Sequence, residues 1–253
     1  GPTGQHLTDL LIAEDIGCRP VAIQAWTRQC FNVDEQAHGQ QYRFVLPGAQ
    51  LSNAEQDCLL STLQSVEHID YLVVSGSHPD GLAADFLPRV VQLANQRGAR
   101  CILDSSGAAL QQAVENGGLF MIKPSLSELS SLTGEDINEP EQLAHAARKL
   151  VDAGKCATVM VSLGAQGALL VTPDHVERIS APNVRKVSTV GAGDSLLGAM
   201  VLMLASGARI SEAARYGVAA GSAAIMTSGT NLCRLQDTQR LYAWLQRHSQ
   251  RPV

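Results

Sequence analysis

The chain is organised around the stretch KVSTVGAGDS at residues 186–195 and the apolar run LLGAMVLML at residues 196–204. The first half is rich in β-branched residues and predicts an extended segment, and the Gly-Ala-Gly sequence predicts a tight turn. The good helix formers that follow predict a helix over residues 195–206 that stops at Gly207. Asp194 therefore falls at the first turn of this helix.

A turn of this kind can bind an anion. Small residues let a ligand approach the backbone closely, and the first N–H groups of a helix have no internal partner and lie at the positive end of the helix dipole. Asp194 would repel that anion, so its carboxylate fits better as a base that accepts a proton from a hydroxyl attacking phosphorus. The alternative is structural: Asp194 caps the helix and the glycines only shape the turn.

Strands and helices alternate through the middle of the chain. This alternation predicts βαβ units, and therefore a parallel sheet with helices on both faces. Two short strands late in the chain predict a hairpin at the edge of that sheet. The predicted strands are 71–74, 101–104, 119–122 and 158–161, followed by the hairpin 168–171 and 176–179; the predicted helices are 52–67, 82–96, 107–116, one from 125, 139–153, 195–206, 211–225 and 237–248.

The first 46 residues follow a different pattern. An opening helix is predicted to end near Gly17, after which residues 21–23, 30–33 and 42–46 read as short strands with a turn at His38-Gly39. No helical segment separates these strands. They therefore predict a small antiparallel sheet, distinct from the α/β part.

Composition narrows the class of protein. The chain has 253 residues, 45% of them apolar and 17% charged, which is the composition of a globular α/β protein with a sizeable core. The net charge of −5 and the lack of a basic run argue against nucleic acid as a partner. No apolar stretch nears the ~20 residues of a membrane span, and no leader opens the chain, so we expect a cytoplasmic protein. The scattered cysteines, without a C-x-x-C pair, are interpreted as buried thiols.

Small polar segments follow three of the predicted strands, and the Gly-Ala-Gly turn before the helix at 195–206 makes a fourth. They are SGS at 75–77, KPS at 123–125, SLGAQG at 162–167 and the turn at 191–194. Ligands of open parallel sheets bind at the carboxyl ends of the strands, where these segments fall. Each alone could be an ordinary βα turn, but together they favour a site for a phosphate-bearing ligand.

Four motifs resemble the ribokinase-like (PfkB) carbohydrate kinases, in order and over essentially the whole chain. TVGAGDS at 189–195 resembles the second family signature, SLGAQGA at 162–168 the nucleotide loop, and KPSxxE at 123–128 the K-P-N-x-x-E segment. GVAAGSAA at 217–224, with Gly229-Thr230, resembles the adenine and monovalent-cation region. The resemblance implies a three-layer α/β sandwich built from residues 1–17 and 47–253, with residues 18–46 as a β lid.

The resemblance also implies ATP-dependent phosphorylation of a sugar phosphate. Asp194 would be the base, and the N–H groups of Gly191, Ala192 and Gly193 would hold the transferring phosphoryl group. The implied nucleotide-binding residues are Lys123, Ser125, Ser162, Gly164, Gly167, Val218 and Ser222. Glu128 would hold Mg²⁺ through a water molecule, and Ser188, Val190, Ala224, Thr227 and Gly229 correspond to the family's monovalent-cation site, which suggests K⁺.

Arg28 and Ser77 correspond to positions that bind the sugar phosphate in the family. A guanidinium suits this role because it stays charged and binds phosphate bidentately, although Arg28 alone could be a solvated charge on an edge strand. Fructose 6-phosphate is the expected substrate, with tagatose 6-phosphate, fructose 1-phosphate or a nucleotide-binding remnant without turnover as alternatives. The resemblance further implies a homodimer formed through the β lid, and it places the family's Gly-rich first signature ahead of residue 1.

Overall fold

The computed structural model describes residues 1–35, 40–79 and 81–248, so the predicted turn at His38-Gly39 lies outside the described residues. Two sheets form. The strands β1 (Cys30–Glu35) and β2 (Gln40–Val45) make an antiparallel pair, and a six-stranded sheet has the order β3 (Tyr71–Ser75), β4 (Arg100–Asp104), β5 (Leu119–Ile122), β6 (Cys156–Ser162), β7 (Ala168–Val171) and β8 (Val176–Ile179). Strands β3 to β6 are parallel and β7 and β8 antiparallel, which confirms the predicted sheet with a hairpin at its edge.

Helices occupy both faces of the larger sheet. They are α2 (Asn53–Gln64), α3 (Phe86–Gln96), α4 (Gly107–Asn116), α5 (Leu126–Thr133), α6 (Pro140–Asp152), α7 (Ala192–Ala205), α8 (Ile210–Ile225) and α9 (Leu235–His248). The first helix, α1 (Pro2–Ala13), has no buried residue and takes no part in either core. Across residues 1–35, 40–79 and 81–248, no helix has both the length and the apolar character to cross a membrane.

The two faces of the sheet bury separate cores. In β4, Cys101 and Leu103 pack into one core with residues of α3, α4 and α6, while Ile102 between them packs into the other core with residues of α7, α8 and α9. This division follows from the alternation of side chains along a strand, and it explains why the strands read as unbroken apolar runs. The architecture is the expected three-layer α/β sandwich.

Two of the predicted segments in the first 46 residues were wrong. Residues 21–23 form no strand, because no other strand pairs with them; the N–H of Gln24 bonds instead to the Glu55 carboxylate at 2.6 Å. The first helix ends at Ala13 rather than near Gly17, and Asp15 takes the left-handed conformation with φ 58°. Aspartate adopts that conformation more readily than most residues, so no glycine is needed there.

The cysteines divide into three groups, of which Cys18 and Cys233 are the half-buried one. Cys101 and Cys156 are buried, and burial raises the pKa of the first thiol to about 11 and of the second to about 12. Cys30 and Cys58 are exposed, which corrects the interpretation of all six as buried thiols. All six are free.

Candidate active site

The Gly-Ala-Gly turn forms the start of α7. Gly191 is the N-cap residue and has a left-handed backbone with φ 74°, which glycine adopts without strain. The helix begins at Ala192 rather than at residue 195, so Asp194 lies within its first turn. Asp194 is exposed, and the N–H groups of residues 192–194 have no acceptor within the helix, whose first backbone bond runs from the Ser195 N–H to the Gly191 carbonyl at 2.8 Å. The carboxylate and these N–H groups can therefore meet a ligand.

The position of this turn is fixed by the small residues of α8. A Cβ at Gly217 would lie 2.7 Å from the Leu196 carbonyl oxygen, and one at Gly221 would lie 3.0 Å from the Ala192 carbonyl oxygen. Any larger side chain would therefore push α8 away from the first turn of α7. The motif at 217–224 thus has a packing role besides the nucleotide-binding role expected from the family resemblance.

A cavity of 510 Å³ opens beside the turn. Its walls come from the β6–β7 loop, the segment leading to α7, the start of α7 and one side of α8. The expected site residues that line it are Ser162, Gly164, Gly167, Ala192, Gly193, Val218 and Ser222, joined by residues outside the expected site such as Asn183, Lys186 and Thr189. The structure therefore brings together most of the predicted nucleotide-binding residues, which the sequence separates by up to sixty positions.

Lys123 and Asp104 form an ion pair below the turn. The Lys123 Nζ lies 3.1 Å from the Asp104 Oδ1, and the two side chains are only 8% and 18% exposed. Burial raises the pKa of Asp104; Lys123 opposes the rise, and the carboxylates of Asp194 and Glu128 add to it. The three carboxylates and the ammonium group therefore form one electrostatic cluster.

The Lys123 ammonium group also reaches the anion-binding turn. A Cβ built on Gly193 would lie 3.4 Å from the Lys123 Nζ. The positive charge is thus placed beside the N–H groups that would hold a phosphoryl group, although Lys123 does not line the 510 Å³ cavity. Asp104 was not predicted as a site residue from the sequence. Its position at the carboxyl end of an apolar strand, where ligands of parallel sheets bind, was the signal that could have indicated it.

Ser125 and Glu128 form a capping box at the start of α5. The Glu128 Oε2 accepts from the backbone N–H of Ser125 at 2.7 Å and from its Oγ at 2.8 Å. This arrangement commits one carboxylate oxygen to the helix cap and leaves Oε1 to hold a metal-bound water. The donor chemistry therefore fits magnesium through a water molecule, the role predicted for Glu128, which stays a prediction.

The candidate cation residues form two linked groups of oxygen atoms. The Ser188 Oγ donates to the Gly229 carbonyl at 2.7 Å and accepts from the Val190 N–H at 3.2 Å. The Thr227 Oγ1 donates to the Ala224 carbonyl at 2.7 Å. The N–H groups of residues 187 and 188 both bond to the carbonyl of residue 225 and so join the two groups. Hydroxyl and carbonyl oxygens are the ligands that hard cations prefer, so this donor set fits a monovalent metal ion.

Residues of the segment that resemblance assigns to a β lid contact the site at two places. Arg28, half-buried and just ahead of β1 rather than on the small sheet, donates through Nη2 to the Ser77 Oγ at the exit of β3. On β2, the Gln41 Nε2 donates to the Ser188 Oγ at 3.1 Å. Two of the three residues predicted to bind the substrate, Arg28 and Ser77, are therefore in direct contact, while the third, Asp194, lies in α7; Gln41 is a contact of β2 that the sequence did not indicate.

Comparisons with known proteins agree with this architecture. Residues 1–237 match the model of the pfkB family carbohydrate kinases. The chain is 44% identical, over 98% of its length and 80% of the relative's, to the ATP-dependent 6-phosphofructokinase isozyme 2 of Escherichia coli. It is 31% identical to the 1-phosphofructokinase of Bacillus subtilis, over 88% of its own length and 72% of the relative's.

Two solved structures of the Escherichia coli phosphofructokinase-2 also match, each covering 98% of this chain and 80% of theirs. The complex with potassium gives a TM-score of 0.93 at 44% identity, and the complex with fructose-6-phosphate gives 0.89 at 43%. Because the family match spans nearly the whole chain and the fold and motifs agree with it, the chain belongs to the pfkB family of carbohydrate kinases.

Proposed function

We propose that this chain transfers the terminal phosphoryl group of ATP to a hydroxyl of fructose 6-phosphate. The observation that carries the proposal is the exposed Asp194 carboxylate in the first turn of α7, directly after Gly193, which lines the 510 Å³ cavity. The high identity to an enzyme named for this reaction supports the choice of substrate. The lower-identity match to a 1-phosphofructokinase keeps fructose 1-phosphate as a second candidate, ahead of tagatose 6-phosphate.

The roles of the groups follow from their placement. Asp194 accepts the proton of the attacking hydroxyl, because its carboxylate is exposed where the acceptor sugar would meet the phosphoryl group. The N–H groups of Gly191, Ala192 and Gly193 stabilise negative charge on the oxygen atoms of the phosphoryl group while that group is transferred. Lys123 adds a positive charge close to Gly193.

Metal ions would complete this arrangement. Mg²⁺ supplies positive charge to the nucleotide phosphates when bound, and Glu128 would hold it through a water molecule. The oxygen atoms around Ser188 and Gly229 would hold K⁺ and so keep the segment before α7 in place. A cytoplasmic location fits an enzyme that consumes ATP and sugar phosphates, and it stays a prediction.

An ADP-release assay with three sugar phosphates tests the substrate assignment. Fructose 6-phosphate, tagatose 6-phosphate and fructose 1-phosphate are compared at several concentrations with saturating ATP and Mg²⁺. We expect the largest kcat/KM for fructose 6-phosphate. A larger value for fructose 1-phosphate would move the enzyme to the second candidate, and ATP binding without turnover on any of the three would indicate the nucleotide-binding remnant.

Replacing Arg28 by Ala is expected to raise the KM for the sugar phosphate about 10- to 100-fold, the loss of a charge-assisted hydrogen bond. The KM for ATP should stay within about twofold, because Arg28 contacts Ser77 and not the nucleotide cavity. Steady-state kinetics with each substrate varied in turn measures both values. Arg19→Ala is the matched control: this arginine bonds to the Ser65 hydroxyl at 3.0 Å on the surface, and its loss should change neither KM. An unchanged sugar-phosphate KM in Arg28→Ala would contradict the phosphate-binding role.

We also propose a homodimer formed through the β lid. The residues of one lid face are apolar and about half exposed: Phe31, Val33, Tyr42 and Phe44. Phe31 and Phe44 are directly paired across β1 and β2, and their rings stack at 4.9 Å. A sheet face of this kind buries apolar surface well against a second copy. Sedimentation analysis should therefore give a dimer mass; a monomer mass at micromolar concentration would contradict the proposal.

A further inference from the structure

We propose that Lys186 binds the phosphate groups of the nucleotide, a role that rests on the nucleotide site of the proposed function. Lys186 lines the same 510 Å³ cavity as Thr189 and Gly193. It is exposed, and within residues 1–35, 40–79 and 81–248 it has no ion-pair partner. An ammonium group without an ion-pair partner among these residues therefore lies on the wall of the cavity proposed to hold the nucleotide.

Several carboxylates lie close to the anion-binding turn, and their negative charge opposes the binding of phosphate groups there. The carboxylates of Asp194 and Glu128 lie close enough to Asp104 to raise its pKa, and Lys123, the cation that opposes this rise, is already paired with Asp104 at 3.1 Å. The phosphate end of the site is therefore negative before a nucleotide enters, and a triphosphate adds further negative charge. Like charges within a few ångströms oppose binding unless cations compensate them. Lys186, which lines the cavity together with Gly193, can supply such a cation.

The backbone anchors the segment at Lys186, and no hydrogen bond or ion pair to the lysine side chain is found among the described residues. The N–H groups of Val187 and Ser188 both donate to the Ile225 carbonyl, at 2.8 and 3.2 Å, and Ser188 is buried. Ile225 itself lines the cavity. The segment is thus anchored immediately after Lys186 against the cavity wall, so the lysine does not have to be ordered from a mobile loop when it binds a phosphate.

The neighbouring residue provides the contrast. Arg185 is exposed and carries the same charge, but it does not line the cavity. If the positive charge acted only through the general field of the surface, both residues would contribute alike. If Lys186 contacts a phosphate directly, only its removal should weaken nucleotide binding. Its effect on binding should also depend less on salt than a long-range effect of Arg185 would, because salt screens close charge pairs less than distant ones.

The test compares Lys186→Met with Arg185→Met, using displacement of a fluorescent ATP analogue by ADP and by adenosine. Lys186→Met should weaken ADP binding about 10-fold, the size of one charge-assisted hydrogen bond, and change adenosine binding less than about twofold. Lys186→Arg should retain ADP affinity within about threefold, because it keeps the charge. Arg185→Met should bind ADP as the unmodified protein does. Thermal melting checks that each variant folds. Both side chains are exposed, so we expect each variant to fold.

Three outcomes would overturn the inference: ADP affinity unchanged in Lys186→Met, an equal loss in Arg185→Met, or an equal loss for adenosine. The measurement needs neither sugar phosphate nor turnover. A protein that binds ADP but does not phosphorylate fructose 6-phosphate therefore still tests Lys186, whereas its failure in the activity assay would count only against the proposed function.

Discussion

Asp194→Asn is expected to lower kcat at least about 10²-fold, because general-base catalysis typically contributes ~10² to 10⁴ to the rate. The carboxamide keeps the size of the side chain and its place in the first turn of α7, but it cannot accept the proton of the attacking hydroxyl. Asp194 is exposed, so no buried partner is left unpaired by the change. Nucleotide binding should be unchanged or slightly tighter, since the variant removes a negative charge that would repel the phosphates.

The control for this variant is another acidic residue in the first turn of a helix. Asp237 occupies that position in α9, far along the chain from the anion-binding turn. If the Asp194 carboxylate served only the helix dipole, both Asp→Asn variants would cost about 0.3–1 kcal/mol of stability and leave kcat intact. Asp237→Asn would in addition lose the exposed ion pair with Arg240, which adds up to ~0.5 kcal/mol. A kcat in Asp194→Asn above about a tenth of the starting value would therefore remove Asp194 from the chemical step.

The parallel sheet and the position of the turn could be predicted because each rests on a local pattern. The run Cys101-Ile102-Leu103 is buried on both sides, and a Gly-Ala-Gly sequence before good helix formers specifies a tight helix start. Family resemblance added the roles of residues that the sequence separates widely. The segment at 21–23 shows the limit: three apolar residues suggest a strand, but a strand needs a partner, and none is encoded locally.

The pairing of Lys123 with Asp104 could not be predicted for a similar reason. Leu103 of β4 is opposite Ile122 of β5, so the residues that follow them meet at the end of the sheet. That meeting depends on strand order and register, which are decided by packing of the whole sheet and not by either segment. Lys186 is similar, because its place on the cavity wall depends on the anchoring of the next two residues to α8.

Lys123→Met is expected to lower the free energy of unfolding by about 3–5 kcal/mol and to lower the rate of phosphoryl transfer from ATP. Removing one member of a buried ion pair leaves the other charge uncompensated, which costs far more than the pair contributes over an apolar replacement. Met keeps the volume of the lysine stem, so the loss reports the charge rather than a cavity. The double variant with Asp104→Asn should recover most of the stability, because no unpaired charge then remains, but it should not recover activity, because the anion-binding turn still lacks its cation.

The pH dependence separates this loss from a general packing defect. The pKa of Asp104 is raised by burial above its ordinary value of 3.8, so the folded protein binds this proton more tightly than the unfolded chain. Stability contributed by the protonated form is therefore lost as the pH rises through the folded-state pKa. Without Lys123 to oppose the rise, that pKa increases further, and chemical denaturation should show Lys123→Met losing more stability near about pH 8 than near about pH 5. Lys149→Met, which breaks the more exposed pair with Glu135, should cost under about 1 kcal/mol with little dependence on pH. An equal loss in the two variants, constant with pH, would mean that the Asp104 carboxylate is not the group that Lys123 stabilises.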